Sequence, residues 1–169
     1  KIPYVDFVIF IGGAISYDVC ENNFSYAKKI NCINIPILAE RFLKLKSHVI
    51  FVSTNTVFKS SKTIPGENTK TSPGFKYAIL KDIDEKKFLK LKNKYKKQIS
   101  ILRLTKNINK KTEPFNSWIK NLKKNKNITA FKDLYFAPIL YSDSAKILNK
   151  IIENKAIGVF HLSGEKDIN

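Results

Sequence analysis

Three short apolar runs, separated by segments long enough to form helices, constrain the fold of this chain most strongly. Residues 5–11 (VDFVIFI), 48–53 (HVIFVS) and 99–104 (ISILRL) are rich in β-branched and aromatic residues. Such nearly unbroken runs are typical of strands that are buried on both faces of a parallel sheet. Strand, helix, strand, helix, strand at this spacing indicates right-handed β-α-β units. The predicted fold class is therefore α/β, with a doubly wound parallel sheet.

Helical patterns and one long loop occupy the segments between these runs. Apolar residues recur at three- and four-residue spacing over residues 26–45, where Pro36 is expected to kink or split the helix. The polar segment 54–74 predicts a long surface loop, and loops of that length are usually functional. A lysine-rich helix is predicted over 75–94. The later elements predict a small second lobe over 106–169, after a first domain over 1–105. They are a helix at 114–124, strands at 128–131 and 135–140, a helix at 142–153 and a strand from 158.

Composition narrows the function classes. The 169 residues, 43% of them hydrophobic, suffice for one buried core, while the formal charge of +17 raises nucleic acid or an anionic membrane as a partner. However, Arg41 and Arg103 are the only arginines, whereas phosphate and base recognition relies on arginine forks. No apolar run approaches the roughly twenty residues of a membrane span. We therefore expect a cytoplasmic protein that binds neither nucleic acid nor membrane.

The two cysteines do not suggest a structural or catalytic metal site. Cys20 and Cys32 lie in no C-x-x-C motif and have no histidine pair nearby, so neither a zinc site nor a disulfide framework is predicted. Both are expected to be reduced, packed thiols, and no metal is expected.

Candidate chemical groups occur where two of the predicted strands end and where the next helix begins. Gly12, Gly13 and Ala14 follow the first strand, where missing side chains let a flat or anionic ligand approach the backbone. Hydroxyls at residues 53 and 54 end the second strand, at the edge where ligands bind in parallel sheets. Because side chains alternate along a strand, only one of these two hydroxyls can face the crevice.

The motif YAILK begins the predicted lysine-rich helix. It places Tyr77 and Lys81 on one helix face, one turn apart. A free phenol has a pKa of about 10 and is a poor acid-base group at neutral pH, and a cation one turn away is expected to lower that pKa. By itself the spacing is also what chance gives in so lysine-rich a chain.

Taken in order, these motifs resemble the extended short-chain dehydrogenase/reductase superfamily. The pattern is most similar to the dTDP-4-dehydrorhamnose reductase family, which has a Ser-Thr-Asp-Tyr-Val-Phe segment, a loop with a glutamate and a proline, and then Tyr-x-x-x-Lys. Here STNTVF, PGENTKTSPGFKY with Glu67 and Pro73, and YAILK follow in the same order. Further matching segments extend across the chain: INCIN with Asn31, ILRLT with Arg103, APILYSDSA from Ala137, and GVFHLSG ending at Gly164.

The resemblance implies an enzyme that uses NADP or NAD to reduce a nucleotide-linked 4-keto sugar. It implies that Tyr77 is the general acid, that Lys81 bonds the nicotinamide ribose, and that Thr54 orients the carbonyl. The implied cofactor contacts are Gly12, Gly13, Ala14, Asn31, Ser53, Tyr77 and Lys81, and the implied substrate contacts are Thr54, Asn55 and Lys106. For Asn31, a backbone cap or bridge is an equal alternative to a proton relay. The resemblance implies that residues 1–105 are the C-terminal portion of a Rossmann-like NAD(P)-binding domain, with only part of its doubly wound parallel sheet. It implies that residues 106–169 are a small, incomplete C-terminal substrate-binding lobe.

Three departures from the family pattern refine these expectations. Asn55 and Thr56 stand where related 4,6-dehydratases have acidic residues, which argues against dehydration. Lys106 stands about where rhamnose-pathway reductases have an aromatic residue; a lysine there would meet a carboxylate or phosphate, or simply face solvent. The family's glycine-rich first turn is not in the chain, so residues are expected before Lys1 and after Asn169.

Other functions and assemblies stay open at this point. A sugar-nucleotide epimerase uses the same scaffold, and a reductase-like subunit would bind a ligand or partner without turnover. A basic nucleic-acid-binding domain is a third hypothesis, which predicts salt-dependent affinity. Exposed apolar positions on the helix over 24–45 could serve a homodimer or could cover the sheet.

Overall fold

A parallel β-sheet lies at the centre of the computed structural model, which describes residues 2–60, 63–96, 98–130, 132 and 135–168. Within these residues the sheet has four strands in the order β1-β2-β3-β6, every neighbouring pair being parallel. Parallel neighbours need crossover connections, which the helices between the strands supply. The predicted α/β fold class is confirmed. The strands are β1 (Phe7–Phe10), β2 (His48–Thr54), β3 (Ile99–Leu104) and β6 (Gly158–Leu162).

The two central strands are buried along their whole length, whereas β1 and β6 at the edges are half-buried. This is why β2 and β3 read as continuous apolar runs. Alternate residues of β2 serve two cores: Val49 and Phe51 face one helical layer, and Ile50 and Val52 face the other. Phe51 stacks on Phe88 with ring centroids 4.3 Å apart.

The helical region after β1 begins with α1 (Tyr17–Asn22) and continues through α2 (Phe24–Lys28), a π-helical segment (Lys29–Asn34) and α3 (Ile35–Lys44). The expected effect of Pro36 thus takes the form of a π-helical segment directly before it. Proline has no N–H to bond the carbonyl four residues earlier, and that carbonyl, of Cys32, accepts a hydrogen bond from the ammonium of Lys87 instead. π-Helical segments are frequent at functional sites.

The helix after the long loop is α4 (Lys76–Lys94), close to the predicted bounds. A 3₁₀ turn (Asn55–Val57) follows β2 directly. In the later part, α5 (Phe115–Leu122) and α6 (Tyr141–Glu153) agree with the predicted helices. The first predicted short strand is not seen at residues 128–130, and residue 131 lies outside the described residues. The second is reduced to β5 (Ile139–Leu140), which pairs with β4 (Asn107–Ile108).

The predicted C-terminal lobe contributes to the main sheet. Its strand β6 pairs with β3, and residues of α6 cover one face of the sheet, where Ile151 packs against Ile50 and Leu102. Strands from before and after residue 105 therefore pair in one sheet. The division into two domains at this residue stays a prediction. Among the described residues, no helix is long and apolar enough to cross a membrane.

Candidate active site

The candidate site lies at the carboxyl edge of the sheet, where β2 ends and α4 begins. Thr54 is the last residue of β2, Tyr77 is in the first turn of α4, and Lys81 is one turn further along that helix. The Thr54 hydroxyl lies close enough to Tyr77 to lower the pKa of the phenol, so the structure brings the end of β2 to the start of α4 although the long loop separates them in the chain.

The side chain of Tyr77 is partly buried against a cluster that contains Cys20 and Leu80. Burial raises the pKa of Tyr77 to about 12, with further contributions from Tyr17 and Cys20, and the hydrogen bond with Thr54 opposes this shift. The expected lowering of this pKa by Lys81 is therefore not seen in this chain, because desolvation of the phenolate is the largest effect. At neutral pH the phenol is protonated and can act as a proton donor.

Lys81 is a buried cation, only 5% exposed. Its Nζ donates to the carbonyl oxygen of Val52 over 3.1 Å and lies 4.8 Å from the ring centroid of Phe51. Burial lowers the pKa of Lys81, and the carboxylates of Asp84 and Glu85 oppose this change. The ammonium thus lies below the end of β2, held by the backbone of the strand that carries Thr54.

The turn after β1 is held by Asn31, which the π-helical segment presents. The Asn31 side chain accepts a hydrogen bond from the Ala14 N–H and donates one to the Ala14 carbonyl, both 2.9 Å long. Gly13 has a φ of +146°, and a Cβ there would come within 2.6 Å of Asn31 Oδ1. By contrast, a Cβ at Gly12 would meet no atom within 4 Å. Asn31 therefore bridges backbone, which is one of its two predicted roles.

The remaining predicted site residues lie apart from the phenol. The Ser53 hydroxyl donates to Glu85 Oε1 over 2.5 Å on the opposite face of β2 from Thr54, as strand alternation requires. Asn55 is exposed at the start of the 3₁₀ turn, and Lys106 is exposed after β3. Predicted cofactor contact by Ser53 and substrate contacts by Asn55 and Lys106 stay predictions.

A buried ionic network beside the site escaped the sequence reasoning. Arg103 bonds both carboxylate oxygens of Glu85 at 2.6 to 3.1 Å. Its Nη1 also donates to the Glu67 carbonyl over 3.2 Å and lies 3.0 Å from His161 Nε2. The network joins the end of the sheet to α4 and to the long loop. The available signal was Arg103 itself, since a charge in a buried strand requires a buried partner.

Within the described part of the chain, no group of three or more histidine, cysteine, aspartate or glutamate side chains could hold a metal ion. Both cysteines are free and buried, and burial raises the pKa of Cys32 to about 12.

Comparison with known protein families gives a match over residues 4–169 to the family described as the RmlD substrate binding domain. The chain belongs to this family. It is thereby a member of the extended short-chain dehydrogenase/reductase superfamily, and the predicted resemblance is confirmed. No curated protein matches the chain.

Solved structures of RmlD-type and related proteins share the fold. A hypothetical dTDP-4-dehydrorhamnose reductase from Sulfolobus tokodaii is 25% identical with a TM-score of 0.84, over 97% of this chain and 57% of that one. The Bacillus anthracis dTDP-4-dehydrorhamnose reductase in complex with NADP is 20% identical, with a TM-score of 0.83 over 97% and 58%. The Bacillus cereus UDP-glucuronic acid 4-epimerase, in complex with UDP-glucuronic acid and NAD, is 17% identical, with a TM-score of 0.79 over 97% and 55%. The chain thus spans little more than half the length of these proteins.

Proposed function

We propose that the protein reduces the carbonyl of a nucleotide-linked 4-keto sugar with NADPH or NADH. The observation that carries this proposal is the arrangement of Thr54, Tyr77 and Lys81: a partly buried phenol lies beside a strand-end hydroxyl that lowers its pKa, with a buried ammonium one helical turn away. Membership of the RmlD substrate-binding domain family supports the substrate class.

In this proposal Tyr77 gives its proton to the carbonyl oxygen. The raised pKa of Tyr77 keeps the phenol protonated at neutral pH, and the hydroxyl of Thr54 holds the same oxygen by a second hydrogen bond. When bound, the nicotinamide supplies the hydride that reduces the carbonyl carbon. The products are an alcohol and the oxidised cofactor, and Tyr77 recovers its proton from solvent.

The residues present fit the nicotinamide-ribose end of a dinucleotide. Among the described residues, Lys81 Nζ donates one hydrogen bond, to the Val52 carbonyl, and an ammonium has three N–H groups. Two of these are left for the hydroxyls of a ribose. The open space over Gly12 suits close approach of a flat or anionic group. Gly13 and Ala14, fixed by Asn31, would form the backbone wall of the same cofactor site.

The neighbouring residues favour simple reduction over more extended sugar chemistry. Asn55 and Thr56 carry no carboxylate, and Thr56 is engaged through its N–H and its hydroxyl with Thr54 Oγ1. Dehydration needs an additional acid-base pair beside the ring, which these side chains do not provide. We also propose a cytoplasmic location, a two-domain division at residue 105 and a homodimer that uses the exposed apolar positions of the helix over 24–45.

Turnover by the full-length protein tests this function. The protein is incubated with NADPH and dTDP-4-dehydrorhamnose or a UDP-linked 4-keto sugar, and cofactor oxidation is compared with the amount of alcohol formed. We expect one NADPH consumed per sugar reduced. Epimerisation without net NADPH consumption would establish the alternative enzyme. Tight ligand binding without any conversion of sugar would establish a non-catalytic subunit.

A further inference from the structure

Tyr17 is an aromatic residue at the candidate site that neither the motifs nor the proposed mechanism uses. It is the first residue of α1, whose N-cap is Ser16. Its ring centroid lies 4.9 Å from that of Tyr77 and 5.3 Å from that of Phe75. Phe75 in turn lies 6.1 Å from Tyr77, with the two rings stacked. Three aromatic rings therefore meet around the proposed proton donor.

Two of these rings present a large surface to solvent. Tyr17 is 57% exposed and Phe75 is 37% exposed, although both rings contact the partly buried Tyr77. Aromatic surface left exposed beside a site is typical of ligand contact rather than of core packing.

The position of Tyr17 is fixed by contacts that do not involve its own ring. Glu21, one turn later in α1, accepts a hydrogen bond from the Lys76 N–H over 3.1 Å, and its backbone carbonyl accepts one from Lys76 Nζ over 2.6 Å. The carboxylate thereby satisfies a free N–H at the start of α4. Cys20 also packs beside Tyr77 and Leu80 in a buried apolar cluster. Because α1 is fastened to α4, the Tyr17 ring is pre-positioned and loses little freedom on binding a ligand.

A pyranose ring is the ligand that fits this surface. One face of such a ring exposes mainly C–H groups, which pack against the negative face of an aromatic ring. A ring carbonyl within hydrogen-bond reach of the Tyr77 phenol places the rest of the sugar within a few ångströms of that phenol, where Tyr17 lies. After β3, the chain offers the exposed Lys106 rather than a ring.

We propose that the ring of Tyr17, supported by Phe75, is the surface on which the sugar of a nucleotide-linked substrate stacks while its carbonyl faces Tyr77. This inference rests on the proposed function for the substrate class. It makes Tyr17 a residue that recognises the sugar and has no part in binding the nucleotide. The ring, and not its hydroxyl, makes the contact.

Calorimetric binding to the full-length protein tests this assignment without turnover. The probes are dTDP-glucose and UDP-glucose, each compared with its free diphosphate, dTDP or UDP. We expect Tyr17→Ala to weaken the affinity for the sugar nucleotide roughly tenfold, which corresponds to about 1.4 kcal/mol. The affinity for the free diphosphate should be unchanged. Tyr17→Phe, which keeps the ring, should bind like the wild type.

Tyr26→Ala is the matched control, since Tyr26 is similarly exposed at 53% but lies on α2; it should change neither affinity. Equal weakening of sugar nucleotide and diphosphate, or no change for either, would overturn the assignment. If the wild-type protein reduces the sugar but Tyr17→Ala leaves sugar-nucleotide affinity unchanged, this inference fails and the proposed function stands. If the wild type binds neither sugar nucleotide and turns over no sugar, the inference and the proposed function both fail.

Discussion

Removing Arg103 should cost the protein a large part of its stability. The side chains of Arg103 and Glu85 are 5% and 2% exposed, and three Arg103 N–H contacts at 2.6 to 3.1 Å neutralise the carboxylate. In an Arg103→Met variant, the hydrogen bond from the Ser53 hydroxyl would be the one contact left to the Glu85 carboxylate among the described residues. A buried charge that loses its partner costs roughly 3–5 kcal/mol, against a total stability of about 5–15 kcal/mol for a typical domain.

A double-mutant cycle shows whether this cost comes from the orphaned charge. Removing both charges in Arg103→Met with Glu85→Leu should restore at least about 1 kcal/mol relative to Arg103→Met alone, because apolar pairs often replace buried ion pairs at little cost. Lys146→Met is the control. It breaks an ion pair with Asp143 whose side chains are 72% and 47% exposed, and such pairs contribute about 0–1 kcal/mol.

The assay is urea unfolding of the full-length variants, with free energies compared at the same pH and salt. The reasoning is refuted if Arg103→Met costs no more than the Lys146→Met control, or if the double variant is less stable than Arg103→Met.

Three further perturbations follow from the site. Gly13→Ala should destabilise the protein by about 1–3 kcal/mol in the same unfolding assay, because its φ is +146° and the added Cβ would meet Asn31 Oδ1 at 2.6 Å; Gly12→Ala, which meets no atom within 4 Å, should be within about 0.5 kcal/mol of wild type. Burial raises the pKa of Asp84 from 3.8 to about 6, so the folded state binds this proton more tightly than the unfolded state. The stabilisation that this proton contributes is full below pH 3.8 and is lost as the pH rises through about 6. Asp84→Asn should flatten that fall in unfolding free energy, and an unchanged pH profile would contradict the assigned burial effect. Thr54→Val should lower kcat by about tenfold to a hundredfold, since it removes a hydrogen-bond donor from the carbonyl oxygen. It should also raise the pKa of Tyr77 further, because the Thr54 hydroxyl lowers that pKa in the wild type. An unchanged kcat would exclude Thr54 from the reaction.

Periodic features of the sequence predicted the main elements correctly. The apolar runs at β1, β2 and β3 and the amphipathic patterns of α5 and α6 are visible in the sequence because buried positions require apolar residues. Short strands such as β4 and β5 carry only two residues each, too few to show a period. The pairing of β6 with β3 depends on contacts distant in sequence, which local patterns do not encode.

The candidate site was predictable in its residue types but not in its electrostatics. Thr54, Tyr77 and Lys81 were recognisable as motifs, whereas the raised pKa of Tyr77 follows from burial by α1 and other surroundings that the motif does not contain. In the sequence, Glu85 is one charged residue among the many on a lysine-rich helix, and nothing local distinguishes it as buried. Its burial against Arg103 became evident only when β3 and α4 were packed together.

Single-turnover hydride transfer by Tyr77→Phe tests the central claim most directly. The variant keeps the ring and its contact with Tyr17 but removes the proton that the proposed reaction requires. In the full-length protein, saturated with NADPH and a nucleotide-linked 4-keto sugar that the wild type reduces, we expect the rate to fall by about 10²–10⁴-fold, with sugar-nucleotide affinity retained. Tyr26→Phe, an exposed tyrosine on α2, should react at the wild-type rate. A Tyr77→Phe rate within a few-fold of wild type would contradict the account, because the proton would then come from another group.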